Sequence, residues 1–340
     1  MNEIAKKVLE GKNLSIEEAT LAMDWIMSGE ASEAQIGSYL TALRMKGETI
    51  EEITGSAKGM REKCLQLKGE GNLIDIVGTG GDCTNTFNVS TVASLVVAAA
   101  GIQVAKHGNR SVSSKCGSAD VLEALGVKLD LTKEQNEEVL KEIGICFMFA
   151  PVYHSAMKYV AKTRKDLGVR TIFNILGPLA NPAYANLQVM GVYDEALVEP
   201  MAKVLFNLGV KRAMVVHGED GVDEVSISGK TKVCEVREGK LTCYSIDPIS
   251  LGLSVAPLSE VTGGGAEENK AIALSILKGE KGPKRDMVAL NAGVALYTAL
   301  ENQDLKSCIS LAEELIDSGK AMEKLEAFIN ATQSFVKEAI

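Results

Sequence analysis

No two cysteines stand at Cys-x-x-Cys spacing in this sequence, and its seven cysteines (64, 83, 116, 146, 234, 243 and 308) are scattered and odd in number. A disulfide framework is therefore excluded as the organising device, and reduced thiols in a cytoplasmic protein are expected. Histidine is scarce, with three in all, and none lies beside a cysteine at zinc-ligand spacing. The segment from Glu3 to Lys7 is charged and lacks the apolar core of a secretory signal. The most apolar run, residues 92–105, is broken by Gln103 and is too short to span a bilayer. Net positive charge is missing too. Against 36 Lys and Arg stand 45 Asp and Glu, leaving −9, which argues against broad binding to nucleic acid or an anionic membrane. Internal repeats and low-complexity segments are absent.

With 340 residues, 46% of them apolar, the chain has the material for one large α/β unit and a small companion. The first 70 residues read as helices. Ser15 with Glu18, Ser32 with Gln35 and Thr49 with Glu52 each fit a capping box, in which the hydroxyl takes an orphan N–H and the residue three on reaches back. Apolar stripes follow at helical period: Leu21, Trp25 and Ile26; Ile36, Tyr39, Leu40 and Leu43; Ile53 and Met60. These stripes predict core, with a partner subunit as the other surface one of them would face. Residues 68–72 are glycine-rich and polar and mark a domain boundary.

Beyond it the pattern changes to alternating strands and helices, the mark of a mostly parallel sheet. Strands are expected at 73–77, 102–105, 145–149, 187–192 and 212–217, and a helix at 132–143 behind a fourth capping box, Thr132 with Gln135. Shorter alternating runs over 222–245, with turns at Gly229 and Gly239, suggest antiparallel strands at one side, and 266–338 reads as mostly helical. A long polar insert within 164–182 interrupts the strands and is expected to return to the N-terminal helices. The fold class is thus α/β: a large α/β domain (71–163 with 187–340) around a mostly parallel sheet, plus a small all-helical, discontinuous domain (1–70 with 164–186).

Chemistry concentrates between Asp75 and Asp120. One strand runs into Gly78-Thr79-Gly80-Gly81-Asp82 and then Asn88-Val89-Ser90-Thr91; the next runs into Lys106-His107-Gly108-Asn109-Arg110. Each is a strand–loop–helix layout whose backbone N–H groups collect around an anion. The second loop adds three cations (Lys106, Arg110, Lys115) and hydroxyls at Ser111, Ser113, Ser114 and Ser118, a density that suits phosphate and sugar oxygens. Cys83 at the third glycine position excludes a dinucleotide fingerprint, and no Gly-Lys-Ser/Thr ends the first loop as in a P-loop. Asp223-Glu224 is a candidate magnesium site, although adjacent acids in a strand point to opposite faces, so either a turn there lets both hold one ion or they serve two separate metal sites. Arg164 is a candidate carboxylate anchor; its bland reading is a surface ion pair with Asp166.

Together these stretches, with Lys-His-Gly-Asn-Arg-Ser-Val-Ser-Ser-Lys at 106–115 and Arg-Thr-Ile-Phe-Asn-Ile-Leu-Gly-Pro-Leu at 170–179, resemble the anthranilate phosphoribosyltransferases of tryptophan biosynthesis nearly end to end. Two departures are small: Cys116 stands where serine is frequent, and Ser155 replaces the usual proline. The resemblance implies that phosphoribosyl pyrophosphate is held by Gly78, Gly81, Asp82, Thr86, Asn88, Ser90, Thr91, Lys106, Asn109, Ser114 and Ser118. It implies an anthranilate site of Gly78, His107, Asn109, His154, Arg164 and Pro178, with Arg164 on the carboxylate. It also implies magnesium, two ions per subunit, on Ser90, Asp223 and Glu224, no acid or base catalyst, a homodimer formed through the helical domains, and neither nucleic acid nor membrane as partner. Two rivals share the fold: a pyrimidine nucleoside phosphorylase, which the 106–110 stretch speaks against, and a non-catalytic nucleic-acid binder, which the charge speaks against.

Overall fold

The computed structural model describes residues 2–111 and 115–337. Four helices come first: α1 (Asn2–Leu9), α2 (Ile16–Met27), α3 (Glu33–Lys46) and α4 (Ile50–Glu62). Next come β1 (Leu73–Gly78), α5 (Val89–Ala99), β2 (Gln103–Gly108), α6 (Ser118–Leu125), α7 (Lys133–Ile143) and β3 (Ile145–Phe149). The connection onward holds α8 (Ala150–Tyr153), α9 (Lys158–Leu167) and α10 (Phe173–Leu176), before β4 (Leu187–Gly191), α11 (Val198–Asn207) and β5 (Arg212–Gly218). A hairpin of β6 (Thr231–Arg237) and β7 (Lys240–Ile246) follows, then α12 (Ala266–Leu277), α13 (Pro283–Ala299), α14 (Leu305–Asp317) and α15 (Lys320–Lys337).

All four capping boxes close as read. Ser15, Ser32, Thr49 and Thr132 each accept from the backbone three residues on, and Glu18, Gln35, Glu52 and Gln135 return the bond. The stripes are buried with two exceptions: Trp25 is half-buried and Leu21 is 61% exposed, because α2 turns Ala19, Ala22, Met23, Ile26 and Met27 inward instead. Small residues on that face let α2 and α4 approach closely; a Cβ on Gly55 would lie 2.3 Å from the Ile16 carbonyl oxygen.

The sheet order is β3-β2-β1-β4-β5-β6-β7, with the first five strands parallel and the last two antiparallel. Alternate residues face opposite sides. Ile74, Ile76, Leu187, Val189, Met214 and Val216 pack with α5 and α13 to α15, while Met190, Val192, Ala213, Val215, Cys234 and Val236 pack with α11 and the N-terminal helices. The antiparallel strands begin only at Thr231, so the alternation expected from 222 is a turn up to that point. The chain moves from β1 outward to β2 and β3, then jumps back to β4 on β1's other side. The crevice outside the carboxyl ends of β1 and β4 is therefore the switch point at which open α/β sheets bind ligands.

The insert returns to the helices, and its packing starts earlier than the sequence suggested: Val160 on α9, a helix that packs on α2 and α3, is fully buried. It then crosses the sheet over two polar residues that stand opposite each other in register, Asp75 and Gln188, both with no exposure. Asn181 Nδ2 donates to Asp75 Oδ2 (2.7 Å) and to the Ala105 carbonyl (2.9 Å), and Gln188 Nε2 donates to the Pro178 carbonyl (2.7 Å). Asp75 also accepts from the His107 amide at 3.2 Å. Burial still pushes its carboxyl up to about 6, with nearby Lys106 opposing the rise. Asn181→Ala is expected to cost about 2–3 kcal/mol of stability by stripping hydrogen bonds from a buried carboxyl. Urea unfolding at neutral pH measures this, and an unchanged midpoint would show that the tie contributes nothing.

Candidate active site

Strand β1 ends at Gly78, paired in register with Gly191 at the end of β4. Asp223 lies across both, with its backbone over Gly191 and its carboxylate over Gly78. A Cβ at Gly191 would fall 1.6 Å from the Asp223 carbonyl oxygen, and one at Gly78 would fall 2.3 Å from its Oδ2. The loop after β5 thus folds as a turn over the switch point, which is the geometry that adjacent acids need to act at one place. Asp223 Oδ2 accepts from the Gly80 amide at 2.7 Å, and Glu224 Oε1 accepts from the Ser90 amide at 3.2 Å, at the start of α5. Asp82 lies beside Asp223, whose amide is 3.5 Å from its Oδ2.

Burial, together with repulsion from Asp82, holds Asp223 well above the usual carboxylate range; burial and Asp223 do the same to Glu224. Lys106, on β2, is the cation facing them. Its Nζ donates to the Ile76 carbonyl (2.5 Å) and sits 3.5 Å from Ser90 Oγ, and burial lowers its own pKa. Acids this crowded gain from any further positive charge, and two carboxylates with a hydroxyl suit magnesium, which completes its shell with water and phosphate. Among the described residues there is no cluster of three or more His, Cys, Asp or Glu of the kind that encloses a transition metal.

The second loop is less basic than its composition implies. Arg110 is bound by Asp120 (3.0 Å) and Glu123 (2.7 and 3.0 Å) and stacks over Phe149, so of the three expected cations it is already neutralised. Asp120, in the first turn of α6, also reaches back into the loop, accepting from the Ser111 and Gly117 amides. Ser118 Oγ and the Ala119 amide donate to the Asn109 carbonyl. Ser114, one of the expected phosphoribosyl ligands, lies outside the described residues. In the first loop, Thr86 forms a lone bridge with Thr262. Asn88 spends its amide on structure, donating to the Cys116 carbonyl and accepting from Asn269. Thr91 is buried with its hydroxyl unpartnered.

On the insert's side His107 and His154 lie ring to ring, with centroids 4.9 Å apart. Each gives a ring hydrogen bond to a carbonyl of the crossing segment, His107 to Gly177 and His154 to Ala180. Nε2 has no partner in either ring, so the bonded nitrogen is Nδ1, which must carry the proton. Two lone pairs therefore stand buried and unused. Burial drives both rings toward the neutral form, His107 down to about 3, with help from His154 and Lys106, and His154 down to about 4. Arg164, on α9, lies over the Phe173 ring at 5.3 Å. Its expected neighbour Asp166 pairs with Lys162 instead (3.4 Å), and among the described residues no carboxylate engages Arg164. Burial lowers its pKa.

A family model for the α/β domain of a glycosyl transferase family matches residues 70–322, and one for that family's helical bundle domain matches residues 2–64. The chain is 56% identical over 338 residues to anthranilate phosphoribosyltransferase of Ruminiclostridium cellulolyticum, covering 99% of each. It is similar to the crystal structure of the Thermus thermophilus enzyme, with a TM-score of 0.93 and 46% identity over 97% of this chain and 99% of that one. The chain belongs to the anthranilate phosphoribosyltransferase family. The Saccharomyces cerevisiae member, solved in complex with PRPP and Mg, matches with a TM-score of 0.90 and 32% identity over 98% of this chain and 97% of its own.

Within this family member, sequence reasoning missed residues that build the site from behind. Asp75 and Asn181 carry no motif signal, since a single acid in an apolar strand and an asparagine before proline look ordinary until they meet. Arg170 lay in a quoted motif without a role; its guanidinium donates to the Gly81 carbonyl at 2.6 Å and stacks on Tyr193 at 4.0 Å, tying the insert to the β1 turn. The depressed histidines also have a measurable consequence. An unfolded histidine titrates near 6.5 whereas native His154 titrates near 4, so between these values the unfolded chain binds more protons and stability falls as pH falls. Replacing His154 by Gln is expected to remove roughly 2 kcal/mol of the loss between pH 6.5 and 4.5. Urea midpoints measured across that range would show parallel curves for the two proteins if His154 were ordinarily titrating.

Proposed function

We propose that this chain transfers the 5-phosphoribosyl group of phosphoribosyl pyrophosphate to the amine of anthranilate, giving N-(5-phosphoribosyl)anthranilate and pyrophosphate in tryptophan biosynthesis. One observation carries the reading: the Asp223–Glu224 turn closes over Gly78 and Gly191, so half-buried carboxylates, the amide-rich β1 turn and Lys106 surround one place at the sheet's switch point. Gly78, Gly81, Asp82, Thr86, Asn88, Ser90, Thr91, Lys106, Asn109, Ser114 and Ser118 hold the activated sugar. Ser90, Asp223 and Glu224 hold magnesium, two ions per subunit, which would offset the charge of the departing pyrophosphate.

Gly78, His107, Asn109, His154, Arg164 and Pro178 form the acceptor site. Arg164, without a carboxylate of its own, takes that of anthranilate through parallel hydrogen bonds. As C1 separates from pyrophosphate, positive charge builds on the ribose ring and negative charge on the leaving group, so fixed dipoles and cations lower the barrier. An aromatic amine is neutral near pH 7 and attacks without prior deprotonation. The chain's task is to hold amine and C1 in contact, and the neutral histidines, unable to contribute a competing positive charge, fit that task. The small domain comprises 1–70 with 164–186 and the large one 71–163 with 187–340. We place the enzyme in the cytoplasm as a homodimer through the helical domains, where Leu9, Leu21 and Met45 are 61–84% exposed.

Loss of anthranilate fluorescence, followed with phosphoribosyl pyrophosphate and magnesium each omitted in turn, tests the activity. Phosphate-dependent cleavage of thymidine or uridine, with no turnover of phosphoribosyl pyrophosphate, would replace it by a nucleoside phosphorylase. Arg164→Ala is expected to weaken anthranilate use by roughly 2–4 kcal/mol, seen mainly in KM; unchanged kcat and KM would remove the anchor. Asp223→Asn with Glu224→Gln is expected to move the magnesium titration to higher concentration, and an identical curve would reassign the metal.

A further inference from the structure

Strands β6 and β7 form the hairpin that ends the sheet, joined by the two residues Glu238 and Gly239, both at positive φ (51° and 73°) as a tight hairpin turn requires. Arg237 and Lys240 are the pair closing this turn, and Cys234 stands directly opposite Cys243 three rungs further down. Hydrogen-bonded and non-hydrogen-bonded rungs alternate in an antiparallel ladder. A two-residue turn is closed by a hydrogen-bonded pair, so the third rung beyond it is a non-hydrogen-bonded one. Residues facing each other there have Cα atoms about 4.5 Å apart, with their side chains on the same side. That separation lies inside the range of about 4.4–6.8 Å that a disulfide spans.

The side chains agree with the ladder. Both thiols are free, and the Cys234 thiol is in hydrogen-bonding contact with that of Cys243. Cys234 is buried on the face covered by α11; Cys243 is exposed at the sheet's outer edge. Lys203 and Lys232 lie close enough to attract negative charge on the pair, while each is also bound to an acid, Lys203 to Glu199 (2.5 Å) and Lys232 to Glu195 (2.8 Å). Every other cysteine lacks this arrangement: Cys64, Cys116, Cys146 and Cys308 are buried, and Cys83 is exposed on the β1 turn. In the sheet register Cys146 faces Ala105 rather than a second cysteine.

We propose that Cys234 and Cys243 form a reversible oxidation site, a dithiol that hydroperoxides convert to a cross-strand disulfide on the terminal hairpin. The exposed Cys243 releases its proton and, as thiolate, attacks the peroxide; an S–O bond forms, the O–O bond breaks, and the alkoxide or hydroxide leaves as alcohol or water by taking up that proton, giving a sulfenic acid. Cys234 then attacks that sulfur. The S–S bond forms, the S–O bond breaks, and the hydroxyl leaves as water with the proton of Cys234. Two thiols have lost two electrons and the peroxide has gained them. The strands need not move, because the ladder already holds both sulfurs on one face. The site stands apart from the crevice at β1 and β4, so its chemistry does not depend on the transfer reaction.

The test uses the full-length protein exposed to a small excess of hydrogen peroxide, alkylated with iodoacetamide, and digested with trypsin. Cleavage after Arg237 and Lys240 separates the two cysteines, so a bridge appears as two peptides joined and lighter by two hydrogens. The expected result is that joined pair, with the other five of the seven cysteines (seven less two) alkylated and the pair restored by dithiothreitol. Cys243→Ser, an exposed change outside the crevice, is expected to abolish the bridge while leaving anthranilate turnover as before; Cys83→Ser is expected to leave the bridge intact. Recovery of Cys243 as sulfinic acid with Cys234 alkylated would overturn the proposal, as would a bridge joining two chains through Cys243.

Discussion

The structure depends on how five consecutive residues, 177–181, are held. This segment crosses the middle of the sheet, where unpaired backbone carbonyls would be costly. Each position is met by a buried polar side chain from a different part of the chain. His107 reaches Gly177, Gln188 reaches Pro178, Arg61 reaches Leu179 (2.6 Å), His154 reaches Ala180, and Asp75 receives Asn181. These partners come from β1, β2, β4, α4 and the turn after α8; all donate except Asp75 of β1, which accepts. A segment so tied has little freedom to shift, and it fixes the tautomer of two histidines while it is itself being fixed. The histidine side of the crevice is preorganised by the same bonds that make the fold.

On the other side, the constraint is crowded negative charge. Asp82, Asp223 and Glu224 lie together, with Lys106 beside Glu224, and burial with their mutual repulsion raises the pKa of Asp223 and Glu224. Such a cluster weakens the fold by itself, since buried like charges repel. It is tolerable where the working state brings cations with the ligand, as a magnesium-bound polyphosphate does. Gly191 permits it sterically, because no side chain there would leave room for the Asp223 backbone, and at Gly78 the Asp223 carboxylate occupies the space a Cβ would take. Arg170 joins the two sides through the Gly81 carbonyl.

Much of the fold was legible because its signals are local. The capping boxes at Ser15, Ser32, Thr49 and Thr132 are bonds between residues three apart, and strand positions follow from apolar runs between turns. Leu21 failed because periodicity marks a stripe without saying which face the neighbouring helix covers, and alanines and methionines took the inside of α2. The alternation from 222 to 230 looked like a strand, yet the backbone there is committed to arching over two glycines that are far away in sequence. Arg110 looked like a ligand cation, since no spacing rule reveals that Asp120 and Glu123, one helix later, turn back to bind it.

What the amino-acid order determined by itself was the set of elements, the α/β class and the chemical character of two loops, all of which rest on neighbours within a few positions. Only the tertiary structure decided which polar groups meet. Asp75 finds Asn181, Gly191 admits Asp223, and Cys234 faces Cys243 because parallel crossovers and ladder register bring distant residues together. Burial then gives those meetings their weight, for a hydrogen bond or a repulsion counts for most where water cannot substitute for it.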